Sequence, residues 1–219
     1  MDQIQGPRCR SMKIAGLVLA AGGGSRLGRP KAEVVVGGRR LVDLAIGSCA
    51  RAGMNPVVVV LGAVWLTPMP LADSLDADIP DAPDADAPDA PEIWLVENGG
   101  WATGMASSLK AGLAALELDP GIDAVVVTLV DTISVGEQHL RRVGSALKAG
   151  ATAAVATYDG KARTPVGLAR EVWADVAATV AGDEGARGWL RAHSDLVTNV
   201  ECADLGSWTD IDTSADLPD

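Results

Sequence analysis

Short apolar runs and helical patterns alternate along this chain. Short, largely apolar runs predict strands at 14–20, 56–61, 92–96, 123–130, 151–158 and 196–201, of which 14–20, 56–61 and 123–130 are continuous apolar runs typical of buried strands. Apolar positions at helical spacing predict helices at 41–52, 105–116, 135–149, 172–180 and 184–193. This alternation is typical of a single-domain, doubly wound α/β fold, in which a mostly parallel sheet carries helices on both faces. Ligands of such sheets bind at the carboxyl ends of the strands, near the switch in strand order.

A glycine-rich segment follows the first predicted strand. It reads Leu19-Ala20-Ala21-Gly22-Gly23-Gly24-Ser25-Arg26-Leu27-Gly28-Arg29-Pro30-Lys31. Three consecutive glycines allow a sharp turn and expose backbone N–H groups, and Arg26 and Lys31 add two positive charges, a combination that suits a polyphosphate. The segment is not a Walker A loop, because Arg29-Pro30 supplies no magnesium-binding hydroxyl, and Leu27 breaks a dinucleotide fingerprint. The plainer alternative is a glycine-rich turn without a ligand.

The negative charge is concentrated in one part of the chain. The 219 residues carry a net charge of −11, and seven Asp and one Glu lie between residues 67 and 92, where there is no Lys or Arg. Six of the twelve prolines lie in the same segment. Such a composition cannot bury enough apolar surface to fold, so we predict a disordered insertion at 67–92, with a lid or a partner contact as the alternative. Outside this segment the chain still has a net charge of about −3, so we expect no nucleic-acid partner that binds through a basic face.

The remaining sequence features lead us to expect a cytoplasmic protein. Residues 1–12 are polar and predict a flexible N-terminus without a signal peptide, followed by one domain over residues 13–219. No apolar run reaches the roughly 20 residues that a membrane span requires, so we expect no membrane partner. Cys9, Cys49 and Cys202 are far apart and match neither a disulfide framework nor a metal pattern.

Carboxylates at two places could hold a divalent cation. Asp131 follows the strand predicted at 123–130, where a carboxylate at the sheet edge suits a hard cation, although capping of the next helix is an equally good interpretation. Asp210 and Asp212 alternate in a segment that we predict to be extended, so both would share one face. The alternative there is a polar strand end.

The glycine-rich segment resembles the signature of the MobA-like nucleotidyltransferases, LAAG-x-(S/G)-x-R-(M/L)-G-x-x-K, at every defined position. Further matches between Lys13 and Leu217 make the chain most similar to the molybdenum cofactor cytidylyltransferases. The resemblance implies a Rossmann-like nucleotidyltransferase fold and transfer of a nucleoside monophosphate from an NTP to a phosphate-bearing acceptor. It implies CTP as the favoured donor with GTP as an alternative, Mg²⁺ as the cofactor and molybdopterin as the acceptor. A molybdoenzyme or a chaperone would be a further partner.

The resemblance also implies roles for individual residues. The expected catalytic residues are Arg26, Lys31 and Asp131, and the expected metal ligands are Asp131 and Asp210. The expected nucleotide-binding residues are Leu19, Ala20, Ala21, Gly22, Gly23, Gly24, Gly104 and Ser108. We prefer Asp210 to Asp212 because related sugar-nucleotide pyrophosphorylases place their second magnesium ligand at the matching position. Lys31 would contact the α-phosphate, and Arg26 and the glycine amides would hold the leaving pyrophosphate.

Departures from the family pattern concern the acceptor. Relatives commonly have Gly-His-Pro-Val where this chain has Arg163-Thr164-Pro165-Val166, so a proton relay through that histidine is absent here. Arg163 could bind an acceptor phosphate, although an exposed loop arginine is the commoner case. The segment 182–187 resembles a Gly-Asp-x-Gly-Ala-Arg element expected near the same phosphate.

The lost histidine, and Ile133 in place of the proline usual after Asp131, keep two alternatives open. One is a nucleotidyltransferase for a sugar phosphate or a phospholactate-like acid. The other is a nucleotide-binding or cofactor-binding regulator with little turnover.

Overall fold

The structure is a computed structural model that describes residues 11–69 and 91–217. Most of the N-terminal segment and of the acidic insertion, for which the sequence predicts flexibility and disorder, lies outside the described residues. In the part of the chain that the structure covers, no helix combines the length and the apolar character needed to cross a bilayer.

The described residues form nine strands and five α-helices. The strands are β1 (Ile14–Leu19), β2 (Val35–Val36), β3 (Arg39–Arg40), β4 (Val57–Leu61), β5 (Ile93–Glu97), β6 (Ala124–Leu129), β7 (Ala153–Tyr158), β8 (Lys161–Ala169) and β9 (Val197–Glu201). The helices are α1 (Leu41–Arg51), α2 (Met105–Glu117), α3 (Glu137–Lys148), α4 (Trp173–Thr179) and α5 (Arg187–Ala192). All six strands and five helices predicted from the hydrophobic pattern are confirmed, with ends that differ by three residues or fewer.

Seven strands form one sheet in the order β5-β4-β1-β6-β8-β7-β9. All run parallel except β8, which is antiparallel to both of its neighbours. The sheet is therefore mostly parallel and doubly wound, as predicted. Strand β1 lies at the switch in strand order, because β4 pairs on one side of it and β6 on the other. The loops after β1 and β6 consequently open beside each other at one sheet edge.

Alternating side chains of the strands build a core on each face of the sheet. Val18, Val59 and Val126 pack under α1 and α3, whereas Leu17, Val58 and Val125 pack under α2 and α4. Successive side chains of a strand point to opposite faces, so continuous Val and Leu runs fill both cores. This packing fixes the strand ends that carry the site.

Strand β8 is an element that the hydrophobic pattern does not predict. Its ladder with β7 passes from Val155–Val166 directly to Ala156–Arg163, so Thr164 and Pro165 are left out of the pairing. A bulge of this kind tolerates a proline, which has no N–H to donate to the ladder. Since β8 also pairs with the end of β6, the bulge lies at the same sheet edge as Asp131.

Candidate functional site

The loops that follow β1 and β6 enclose a cleft of about 400 Å³. They are neighbours because Leu19 and Leu129 pair across the two strands. From the predicted set, the cleft is lined by Leu19, Ala21, Gly22, Gly23, Gly24, Arg26, Lys31, Gly104, Ser108 and Asp131. The structure thus brings the glycine loop, both cations and Asp131 together, as expected for the carboxyl edge of a doubly wound sheet.

The three glycines of the loop have different functions in the fold. Gly24 has φ of +62°, and a Cβ there would lie 1.9 Å from the Arg29 carbonyl oxygen, so only glycine fits. Its own carbonyl accepts hydrogen bonds from the amides of Leu27 and Gly28 at 2.9 Å each, which closes the turn. Within the described chain, no heavy atom approaches within 4 Å of a Cβ placed on Gly22. Gly24 therefore shapes the loop, and Gly22 leaves room for a ligand.

Lys31 joins two carboxylates at the base of the cleft. Its Nζ donates to Asp131 Oδ2 and to Asp212 Oδ1, at 2.7 Å in each case. The side chains of Lys31 and Asp131 are each only 17% exposed. Ala32, the next residue, is fully buried and anchors the turn that carries the lysine. Arg26 is more exposed and donates to the other oxygen of Asp212 at 2.8 Å.

The charges in this group stabilise one another. Burial lowers the pKa of Lys31, but its hydrogen bonds to Asp131 and Asp212 and the charges of both carboxylates outweigh burial and raise that pKa overall. The hydrogen bond from Lys31 in turn lowers the pKa of Asp212. Lys31 and Asp212 are therefore both ionised at neutral pH.

Asp131 has one oxygen that the described residues leave unsatisfied. Its Oδ1 is buried and accepts no hydrogen bond from any part of the chain that the structure covers. A buried carboxylate oxygen without a partner is costly and suits a cation or a donor brought by a ligand. In residues 11–69 and 91–217, no group of three or more His, Cys, Asp or Glu side chains is arranged so that it could hold a metal ion by itself. Mg²⁺ nevertheless fits Asp131 and Asp212, because it commonly takes one or two carboxylates and completes its shell with waters and substrate phosphates.

Asp210 lies away from this group, although the sequence favours it over Asp212. It lines a separate surface cavity of about 380 Å³ beside Ile133. Ile211 between the two aspartates is buried and donates its amide to the Asp131 carbonyl at 3.1 Å. The amides of Asp212 and Thr213 then donate to the Asp216 carboxylate, which bends the chain. The two carboxylates therefore do not share one face, and Asp212 is the one that the structure brings to Asp131.

Other predicted nucleotide-binding residues have distinct positions. The side chain of Ala20 packs in the core rather than in the cleft. Gly104 has φ of +114°, and a Cβ there would lie 2.5 Å from the Gly182 backbone, so it allows the start of α2 to pack against the 182–183 turn. The Ser108 hydroxyl lines the cleft and accepts a hydrogen bond from Asn98 Nδ2 at 3.0 Å.

Trp101 and Asp183 also line the cleft, although the sequence analysis predicts neither as a site residue. Trp101 covers the glycine loop, and its ring atoms lie 3.1 Å from a Cβ placed on Gly23. Asp183 also lines the cleft and accepts from the amide of Met105 at 3.2 Å, although its segment is expected near the acceptor. An aromatic residue among glycines, in a chain with 3% aromatic residues, is the one signal that could have indicated Trp101.

A second cavity of about 510 Å³ lies beside the first and shares Leu19, Met105 and Leu129 with it. Its apolar walls come from β6 to β9 and from α2 and α5, and its charged residues are Arg163, Arg187, Arg191 and Glu184. Arg191 is paired with Glu184 at 2.9 Å. The strand ends thus carry one polar cleft and one largely apolar cavity side by side.

Comparison with known proteins gives a family match over most of the chain. Residues 16–197 match the family described as MobA-like NTP transferase domain. The nicotine blue oxidoreductase of Paenarthrobacter nicotinovorans is 32% identical over 207 residues, which are 91% of this chain and 92% of that protein.

Solved structures share the fold. The homologue of Mycobacterium tuberculosis Rv0371c from Mycobacterium sp. strain JC1 is 27% identical, with a TM-score of 0.66 over 93% of this chain and 92% of that one. The structure of Rv0371c from M. tuberculosis H37Rv in complex with manganese is 22% identical, with a TM-score of 0.60 over 88% and 89% of the two chains.

Proposed function

Because the chain is a nucleotidyltransferase of the MobA-like NTP transferase domain family, we propose that it moves a nucleoside monophosphate from CTP to molybdopterin and releases pyrophosphate. The observation that carries this proposal is the meeting of Lys31, Asp131 and Asp212 beneath the glycine loop. GTP is the alternative donor.

In the proposed reaction, an oxygen of the acceptor phosphate forms a bond to the α-phosphorus of the NTP. The bond from that phosphorus to the bridging oxygen of the β-phosphate breaks, and pyrophosphate leaves with the electron pair. The acceptor phosphate is already anionic and nucleophilic, so no general base is needed, which agrees with Thr164 at the position of the usual histidine. The protein has to align the two phosphates and offset their charge.

The residues of the cleft suit these tasks. Lys31 lines the cleft and would stabilise the negative charge that develops on the α-phosphate. The amides of Gly22 to Gly24 and the Arg26 guanidinium would hold the leaving pyrophosphate. Arg26 pairs with the half-exposed carboxylate of Asp212, so phosphate oxygens would compete with that carboxylate for the guanidinium. Gly104 and Ser108 would contact the base.

Mg²⁺ is the proposed cofactor, held by Asp131 and Asp212. The unsatisfied Asp131 Oδ1 supports Asp131 as a ligand, and the manganese complex of Rv0371c supports the use of a divalent cation. When bound, the ion would supply positive charge that offsets the charge of the reacting phosphates.

The second cavity is the proposed acceptor site, and its walls support a heterocyclic acceptor. Val127, Val155, Val166 and Val197 contribute apolar surface to it. A sugar phosphate would place several hydroxyls against these side chains without partners, at a cost in binding free energy. The flat faces of a pterin ring would pack against these side chains, and its polar edge would require polar groups such as those of Ser194 and Asn199 in the same cavity.

A redox reaction is a second candidate function. It is favoured by the relative from P. nicotinovorans, whose name describes an oxidoreductase acting on nicotine blue. Nucleotidyl transfer and redox turnover can both be assayed on one preparation of the protein.

The test is a screen of pyrophosphate release. Each of CTP, GTP, ATP and UTP is supplied with Mg²⁺ and with molybdopterin, a sugar phosphate or 2-phospholactate, and a separate arm follows oxidation of a reduced nicotinamide by nicotine blue. The Lys31→Ala variant serves as the control in every arm.

We expect release with CTP and molybdopterin alone. Release with another acceptor would transfer the proposal to that acceptor, and tight NTP binding without any release would favour the nucleotide-binding regulator. Redox turnover without pyrophosphate release would favour the second candidate.

A further inference from the structure

Arg163 and Trp208 make a contact at the rim of the second cavity. The Arg163 guanidinium carbon lies 5.1 Å from the ring centroid of Trp208. The indole Nε1 of Trp208 donates to Thr164 Oγ1 at 3.2 Å. Arg163 and Thr164 both line the second cavity, whereas Trp208 lines the separate surface cavity beside Asp210. The Trp208 indole therefore contacts two neighbouring residues of the cavity rim.

The fold places this contact at the edge where the reaction would occur. The bulge in β8 leaves Thr164 out of the ladder, next to the last residues of β6. Bulges commonly redirect side chains beside active sites. Trp208 lies four residues before Asp212, in the segment that also contacts Ser134 through Thr209. One short segment therefore carries both the Trp208 indole, which contacts the rim of the second cavity, and the Asp212 carboxylate of the first cleft.

The charge of Arg163 is available to a ligand. Its NH1 donates to the Ala162 carbonyl at 3.0 Å, and none of the carboxylates in residues 11–69 and 91–217 lies within ion-pair distance of it. A guanidinium stacked on an indole keeps its N–H edges free and loses less conformational freedom when it binds an anion. Arg191, by contrast, is already paired with Glu184.

We infer that Trp208 is a positioning residue for the acceptor, because it holds the Arg163 guanidinium where it binds an anionic group of that acceptor. This inference rests on the proposed function, since it assigns the second cavity to the acceptor. Arg163 would then determine acceptor specificity, because it would favour acceptors that have an anionic group within reach of the rim. Trp208 acts on the acceptor only through Arg163.

The test compares four variants in steady-state kinetics with CTP and molybdopterin. Arg163→Gln should raise the acceptor KM roughly tenfold to a hundredfold, as expected for the loss of a charge-assisted hydrogen bond. Trp208→Leu, which removes the ring face, should raise it roughly tenfold, and Trp208→Phe, which keeps a ring face, should keep it within about threefold. The KM for CTP should change less than about twofold in all of them. The double variant Arg163→Gln/Trp208→Leu should be no worse than Arg163→Gln alone, because both changes remove one interaction.

Trp94→Leu is the matched control, since Trp94 is half-buried on the edge strand β5 and lines neither cavity. Thermal unfolding of all variants separates loss of fold from loss of positioning. Additive effects in the double variant, or an acceptor KM in Trp208→Leu that equals that of Trp94→Leu, would overturn the inference while transfer by the wild-type chain persists. If the wild-type chain uses another acceptor of the screen, the same measurement is made with that acceptor. Absence of transfer with every acceptor would overturn the proposed function together with the inference.

Discussion

At the scale of single residues, Lys31 connects parts of the chain that are far apart in sequence. Its ammonium contacts Asp131 after β6 and Asp212 near the C-terminus. Both carboxylates contact the same ammonium group and would repel each other if it were removed. Because burial weakens screening by water, it strengthens this repulsion. In the proposed reaction, the Lys31 ammonium would also offset the negative charge of the bound phosphates. We therefore expect Lys31 to contribute both to the stability of the cleft and to the reaction.

Lys31→Ala should reduce turnover at least about 100-fold, the order expected when a group that stabilises transition-state charge is removed. Pyrophosphate release with saturating NTP measures this effect. Lys110→Ala is the control, because Lys110 is exposed on α2 and does not line the cleft. Activity of Lys31→Ala near that of the control would refute the proposed role of the lysine.

Asp212 and Asp210 provide a second comparison between single residues. Asp212→Asn should lower turnover on the order of 100-fold and weaken activation by Mg²⁺, because it removes a proposed ligand of the ion. Asp210→Asn should stay within about twofold of the wild-type chain, since Asp210 lines a different cavity. Titration of activity with Mg²⁺ measures both. The opposite ranking of the two variants would restore Asp210 as the ligand.

At the scale of elements, the glycine loop separates shape from binding. Gly24 is held in a left-handed conformation against the Arg29 carbonyl, while Gly22 faces open space. Gly24→Ala should therefore lower the free energy of unfolding by at least about 2 kcal/mol, through backbone strain and the clash. Gly22→Ala should change it by less than about 0.5 kcal/mol.

Gly22→Ala should instead raise the Kd for CTP roughly tenfold, because its methyl group would enter the space of the phosphates. Chemical denaturation and equilibrium binding of CTP measure the two effects separately. A stable Gly24→Ala variant would show that the loop tolerates another turn. Unchanged CTP binding by Gly22→Ala would place the phosphates elsewhere.

The elements also show what the sequence could and could not predict. Continuous Val and Leu runs predict β4 and β6 correctly, because both strands are buried on both faces. Strand β8 escapes prediction, since Arg163 and Pro165 interrupt its apolar pattern and a bulge accommodates them. The choice between Asp210 and Asp212 depends on a bend fixed by the Asp216 carboxylate, a tertiary detail with no period in the sequence. Loops after predicted strands could be assigned to one edge, but not the direction of each side chain.

At the scale of the whole molecule, the sheet brings the proposed donor and acceptor sites together along one edge. The cleft proposed for the nucleotide lies at β1 and β6, and the second cavity extends from β6 over β8, β7 and β9. Leu19, Met105 and Leu129 border both spaces, so a phosphate of each substrate could meet there. Lys31 and Asp131 are next to this boundary.

The acidic insertion gives a prediction about the whole chain. Residues 70–90 contain seven of the Asp residues and no cation, and every strand of the seven-stranded sheet lies outside them. Replacement of this segment by an uncharged Gly/Ser linker of the same length should change the net charge from −11 to −4, since seven negative charges are removed. We expect the thermal midpoint to stay within a few degrees, because none of the described core residues is altered.

Transfer activity decides between the two interpretations of the insertion. A solvated insertion predicts unchanged kcat and KM at low and high salt, since exposed charges act weakly and are screened. A lid or a partner contact predicts a linker variant that folds normally but has an altered KM for one substrate. Met69 donates its amide to the buried Asp43 carboxylate just before the segment, so the linker should begin after that residue to keep this anchor. A shift confined to the acceptor KM would connect the insertion to the second cavity, whereas a shift in the CTP KM would connect it to the glycine loop.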